Sequence, residues 1–360
     1  MQFIKDLLEW LIETFTALLA REQGKQGDAP ASIPIPTRLP RNKPQELPEP
    51  TEEEPAPRPK RTNNGIQIDP NYKSRKGFNR RFLSIALPFP QLAPKWSISV
   101  VEYKEELNSV MQMELKYHHF SIVMNLDRKM PFFTAVNIDG ASYELLKDQV
   151  PTRKEIGPDK WFLDPRIAPA HQLDDDFYKG NDFDIGHIVR REDALWGDTL
   201  EMALKANNDT FHLTNACPQH KDFNRNAQRW LGLEDYALKN ARKYGLKISV
   251  YSGPVFKKND QRFNGVRIPA SFWKIIVMIK DDGAPSATGY LIKQSDLIDD
   301  MEKQGFVYGQ FQTYQVPLSE IERLTDIHFA LNHYDPLQKP QRRSLVYQPL
   351  VIDEFEAIEW

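Results

Sequence analysis

The sequence predicts a mixed α+β fold, and three observations predict it. Short runs rich in β-branched and aromatic residues occur at Ser121–Met124, Phe132–Ile138, Phe211–Thr214, Ile248–Ser252 and Trp273–Ile279, the composition of strands. Helical patterning appears at Glu192–Lys205 and again from Asn224 to Tyr244. The two kinds of segment do not alternate, which argues against a doubly wound parallel sheet. With 40% hydrophobic residues, the 360-residue chain can bury the core of one large domain or two ordinary ones.

Residues 1–22 come first. Phe3, Ile4, Leu7, Leu8, Leu11, Ile12, Phe15, Leu18 and Leu19 recur at helical spacing, so this stretch is predicted to be a short amphipathic helix. Ile4, Leu8, Leu11, Phe15 and Leu18 also fit a heptad seam. Its apolar stripe needs a cover: the main domain, a second copy, or a protein partner. Lys5, Asp6, Glu9 and Glu13 break the apolar stretch that a secretory signal requires. No apolar run approaches ~18 residues, so no membrane span is expected, and the expected location is the cytoplasm.

Residues 23–75 read as a linker. Ten prolines between Pro30 and Pro59 remove backbone donors and fix φ. The stretch is therefore expected to be an extended, disordered spacer, with ordered chain resuming near residue 75. Residues 76–360 are then expected to form one folded domain.

Composition limits the function. One thiol, Cys217, excludes a disulfide scaffold and a cysteine-rich zinc site, and reads as a small packing residue. A net charge of −3 excludes a generally basic nucleic-acid coat. Charge can still be local: residues 221–247 carry seven Lys/Arg against Asp222, Glu234 and Asp235. Such a stretch can follow a phosphate backbone without reading bases.

Two segments carry chemistry. In the first, Asp184-Ile185-Gly186-His187 sets a carboxylate, a glycine and an imidazole together, with Arg190 and Arg191 close behind. Imidazole is the natural general base near neutral pH, and guanidinium forks match phosphate oxygens. Gly186 permits a tight turn or a close approach to a ligand. In the second, an apolar strand runs into Asn215, Pro218-Gln219 turns the chain, and Asn224 opens a helix bearing Trp230 and Glu234. Asn224 and Glu234 lie nearly three helical turns apart, so one helix can aim both at one site. An amide oxygen plus a carboxylate suffices for Mg²⁺, which keeps several waters. Taken singly, Asn224 reads equally as a helix cap, Asn215 as a turn residue and Glu234 as a solvated face. Asp174–Asp176 reads as a surface loop, and His118-His119 as structural, since neighbours on a strand face opposite sides.

Together these segments resemble the DNA/RNA non-specific endonuclease family of the ββα-metal superfamily. The resemblance rests on Asp184–His187, Asn215 to Gln219, Asn224, Trp230 and Leu233-Glu234. Phe132–Gly140, Trp161–Pro165, Ser252–Pro254, Ser271–Lys274, Gln315–Pro317 and Ile321-Glu322 extend it over about residues 85–337. It implies a central, mostly antiparallel sheet flanked by helices. It also implies a sugar-non-specific, metal-dependent endonuclease acting on DNA and/or RNA and leaving 5′-phosphate and 3′-hydroxyl ends. By the resemblance, His187 is the general base and Asn224 the direct Mg²⁺ ligand, with Asn226 competing for that place and Mn²⁺ able to substitute. Glu234 is the carboxylate that orients water at the metal, and Asn215 supports the site by hydrogen bonding.

One position departs from the pattern: Ile185 stands where the family has an arginine that holds the phosphate. Arg190 or Arg191 is expected to take over that task. Otherwise the chain is a nucleic-acid-binding module with weakened catalysis. An intracellular nuclease needs restraint, so the helix at residues 1–20 is expected to dock on a sensor or to oligomerise the enzyme, as in a bacterial defence effector.

Overall fold

The structure is a computed structural model, and it describes residues 65–104, 111–224, 237–239, 241–294, 313–338 and 350–352. The amphipathic helix expected at residues 1–22 and most of the expected spacer lie outside these residues. All described residues belong to one unit, Arg61–Trp360.

The centre is an eight-stranded sheet. Its strands are β1 (Glu114–Lys116), β2 (Phe120–Asn125) and β3 (Met130–Asp139), then β6 (Lys247–Pro254), β7 (Ser271–Ile279) and β8 (Pro285–Lys293), and finally β9 (Thr313–Val316) and β10 (Leu350–Ile352). A separate two-stranded ribbon, β4 (Phe183–His187) and β5 (Ala216–His220), falls between β3 and β6 in the chain. The sheet order is β10-β9-β8-β7-β6-β3-β2-β1, and every neighbouring pair is antiparallel. The α+β expectation holds.

Alternation along these strands feeds two cores. Ile122, Val136, Val250 and Ile276 point to one face, and Val123, Ala135, Tyr251 and Ile275 to the other. On the second face Leu318 and Ile321 of helix α4 (Leu318–Thr325) close the core. On the first face Phe183, Ile188, Val189, Cys217 and Phe223 pack down, so the ribbon is anchored on the core. Between β3 and this ribbon the chain forms α1 (Gly140–Leu146), and between β4 and β5 it forms α2 (Leu200–Asp209).

Four expectations need correction. Phe211–Thr214 is not a strand: the chain turns there, with a 3₁₀ turn at Leu213–Asn215, while the strand follows at Ala216. Pro218-Gln219 is not a turn, since Pro218 pairs with Ile185 inside β5. A two-stranded ribbon tolerates the missing N–H, and the Pro218 carbonyl accepts from Gln294 Nε2. The helix expected from Glu192 begins only at Leu200, where the Thr199 hydroxyl caps Met202 N; before it, Arg190–Asp193 form a turn closed by Asp193. Ordered chain starts before residue 75: Ile66 is buried, and Tyr72 and Arg75 pack on the domain.

Candidate active site

The site grows from the β4–β5 ribbon and the helix that follows it. His187 ends β4 opposite Ala216, and Asp184, its second residue, lies opposite Gln219. Gly186 sits in regular strand, and the ribbon explains the glycine: an added Cβ would lie 2.3 Å from Gln219 Oε1. The close approach that glycine permits here is to a buried side chain, not to a ligand.

Asn215 fixes the chain just beyond the imidazole. Its Oδ1 accepts from Val189 N at 2.9 Å, and its Nδ2 donates to Val189 O at 2.7 Å and to Thr210 O at 2.9 Å. Its backbone oxygen accepts from Ile188 N. A fully buried amide with every bond made is a rigid strut.

Aromatic rings flank His187, which is partly buried. Trp161 lies 4.4 Å from it and Phe211 meets it edge-on at 4.9 Å, centroid to centroid. Two backbone bonds bring them there: Phe162 N donates to Phe211 O, and Leu213 N to Phe162 O. His187 Nε2 is buried with no hydrogen-bond partner. Burial, then the guanidinium groups of Arg191, Arg153 and Arg190, hold the imidazole down at about 3. An imidazole held that low carries no added proton near neutral pH.

The two candidate arginines separate. Arg190 is buried and committed to Asp193, with Nε and Nη2 donating at 3.3 and 3.2 Å. Arg191 donates from Nε to Asn207 Oδ1 at 3.2 Å and lies over Phe211, its Cζ 5.9 Å from the ring centroid. Ile185 packs against the apolar core.

Asn224 is the fourth residue of α3 (Lys221–Asn224), inside the helix, not its cap. Its Nδ2 donates to Asp184 Oδ2 at 3.1 Å. The backbone is helical again at 237–239 and 241–243; Asn226, Trp230 and Glu234 lie outside the described residues. Among the described residues no three His, Cys, Asp or Glu side chains gather around one point. The donors that do meet, an amide and a carboxylate, present hard oxygens, and these fit Mg²⁺ or Mn²⁺ in preference to a soft metal.

Trp161, Phe211 and Asp184's grip on Asn224 are contributions that motif reading did not assign. The nearest signal in the sequence is the Trp161–Pro165 segment. The remaining candidates are structural. His118 Nδ1 meets Asp209 Oδ2 at 2.7 Å, while His119 stacks on Trp196 at 3.6 Å. Asp174 caps a one-turn helix, and Cys217 is buried, its thiol pushed up by that burial.

Residues 101–335 match the family model for DNA/RNA non-specific endonucleases. The uncharacterized protein y4fB of Sinorhizobium fredii is 36% identical over 274 residues, covering 72% of this chain and 39% of that protein. Nuclease 1, mitochondrial, of Schizosaccharomyces pombe is 27% identical over 232 residues, covering 60% and 65% respectively. Endonuclease G, mitochondrial, of Homo sapiens is 25% identical over 181 residues, covering 47% and 55%. The chain thus spans less than two thirds of each of these relatives. With the match covering well over half of its own length, the chain belongs to the DNA/RNA non-specific endonuclease family.

Proposed function

We propose that the chain is a sugar-non-specific, metal-dependent endonuclease that hydrolyses phosphodiesters of DNA and/or RNA. One observation carries the reading: a single strand–strand–helix unit bears a neutral imidazole, His187, and an oriented amide, Asn224. Family membership and the nucleases among its relatives support it.

His187 takes a proton from water as the water oxygen bonds to phosphorus and the phosphorus–O3′ bond breaks. Trp161 and Phe211 shield the ring from bulk water and keep it neutral. Asn215 holds the residues after His187, so the base does not drift. Asn224 would hold the divalent ion, and the family resemblance assigns Glu234 to orient water at it. When bound, the ion supplies Lewis-acid stabilisation of charge on the phosphate and the leaving oxygen.

The test uses supercoiled plasmid with Mg²⁺, with EDTA, and with His187→Ala. Nicking is expected in the first lane alone. A second reading, a nucleic-acid-binding module, draws on Ile185, an apolar side chain two residues before His187 that packs against the core. Plasmid binding without nicking in the Mg²⁺ lane selects that reading.

A further inference from the structure

We infer that Arg191 is the cation that meets the scissile phosphate beside His187. The inference rests on the nuclease reading above and assigns a residue within it. Arg191 and His187 share one wall: the imidazole stands edge-on to Phe211 at 4.9 Å, and the Arg191 guanidinium carbon lies 5.9 Å from the same ring centroid. The hydrogen bond from Nε to Asn207 holds the fork in place. Its Nη1 is buried and donates to nothing. Among the described residues the carboxylate facing it is Asp159, whose Oδ1 stands at 3.9 Å, too far for a hydrogen bond, while Arg153 holds the other oxygen, Oδ2.

A guanidinium N–H left buried without an acceptor is costly in a folded chain. A non-bridging phosphate oxygen is the acceptor whose charge and geometry match it. Neighbouring cations do not compete for the place. Arg190 spends its fork on Asp193, and the Arg153 side chain is 73% exposed, where water screens it. The charge of Arg191 also helps to hold the imidazole neutral, as a cation within reach of the base must. During hydrolysis negative charge grows on the oxygens as water attacks, and a fixed guanidinium there stabilises the transition state more than the ground state.

The test compares full-length wild type with Arg191→Gln and Arg191→Lys in three measurements. These are plasmid cleavage in Mg²⁺ across pH, anisotropy of a short fluorescein-labelled oligodeoxynucleotide in EDTA, and thermal unfolding. Arg191→Gln is expected to lower kcat/KM by about 10²- to 10³-fold, chiefly in kcat. Its acid limb should move up toward the ordinary imidazole range, and its melting temperature should stay level or rise. Arg191→Lys, which keeps charge but loses the fork, should fall between. Equal cleavage and equal binding by Arg191→Gln overturn the inference, as does a loss of activity matched by a fall in melting temperature. Should the wild type bind without cleaving, the hydrolase reading fails separately. Weaker binding by Arg191→Gln then keeps Arg191 as the phosphate contact, and unchanged binding removes it.

Discussion

The Asn224 side-chain amide donates to the Asp184 carboxylate at 3.1 Å, joining the first turn of α3 to the strand that carries His187. A carboxylate only accepts, so the NH₂ end of the amide must face Asp184 and the oxygen must face away. Asp184 therefore decides which end of Asn224 is offered to a cation.

Outer-shell partners of this kind are worth about 10- to 100-fold in metal affinity. Asp184→Ala should raise the Mg²⁺ concentration needed for half-maximal plasmid cleavage by about that factor, with the domain still folded. Asn224→Ala should abolish cleavage at any Mg²⁺ concentration tested. If Asp184→Ala leaves the Mg²⁺ titration unmoved, the orienting role is wrong.

The pH profile follows from the position of His187. An ordinary imidazole, near 6.5, would make cleavage fall below neutrality. Here burial and the guanidiniums of Arg191, Arg153 and Arg190 put the value at about 3. The base is active in its neutral form, so kcat/KM should stay level from about pH 8 to about pH 5 and decline only below that. A decline centred near pH 6.5 would show that the free enzyme does not hold the ring as the structure does.

The candidate residues could be named from sequence because they sit in short segments of distinctive composition. Asp184–His187, Asn215 and Asn224 each carry a chemistry that few residues supply. What surrounds them was not legible. Phe211 looks like strand because a short apolar run reads alike in strand and turn. It becomes the wall of His187 only through backbone bonds to Phe162, 49 positions away. Sequence spacing also could not rank Arg190 against Arg191, since Asp193 claims one of them through a local turn. The clasp between Arg75 and Asp209 spans 134 positions and leaves no periodic trace.

Acid should weaken the fold well before the carboxylates protonate. Burial lowers His119 to about 4, His187 to about 3, and His212 as well. These imidazoles resist protonation when folded and accept it near 6.5 when unfolded, so the unfolded state binds more protons below that pH. Stability is full above about pH 6.5 and is lost as pH falls toward the folded values. Asp209 and Asp164 act in the same direction at lower pH. Against the opposing effect of burial, bonds from His118 and Arg75, and from Arg166, hold them below the usual carboxylate range. Asp260 and Asp335, pushed up by burial, oppose the trend. Urea midpoints should therefore drop steadily from about pH 7 to about pH 4.5; a flat series would contradict the buried neutral imidazoles.

Truncation provides the sharpest test of where the domain begins. Arg75 donates from Nε and Nη2 to both oxygens of Asp209 at 2.8 and 2.7 Å, and the two side chains are 0% and 1% exposed. Around this pair Tyr72 meets His212 Nε2 at 2.7 Å, Asn208 donates to Gln67 O, and Lys205 pairs with Asp69. All of these contacts land on residues 205–212, the segment that delivers Phe211 to His187 and Thr210 O to Asn215. Removing one member of a buried ion pair costs about 3–5 kcal/mol, and without Arg75 the buried Asp209 keeps, of its partners Arg75 and His118, only His118. A chain lacking residues 1–60 keeps the clasp and should melt and cleave like the full protein. One lacking residues 1–76 loses Arg75, exposes Asp209, and should show both a lower melting temperature and slower cleavage. Arg75→Ala in the full chain should reproduce the second result, because the loss is of one guanidinium and not of chain length. Equal melting of both truncations would mean that Asp209 is satisfied without Arg75.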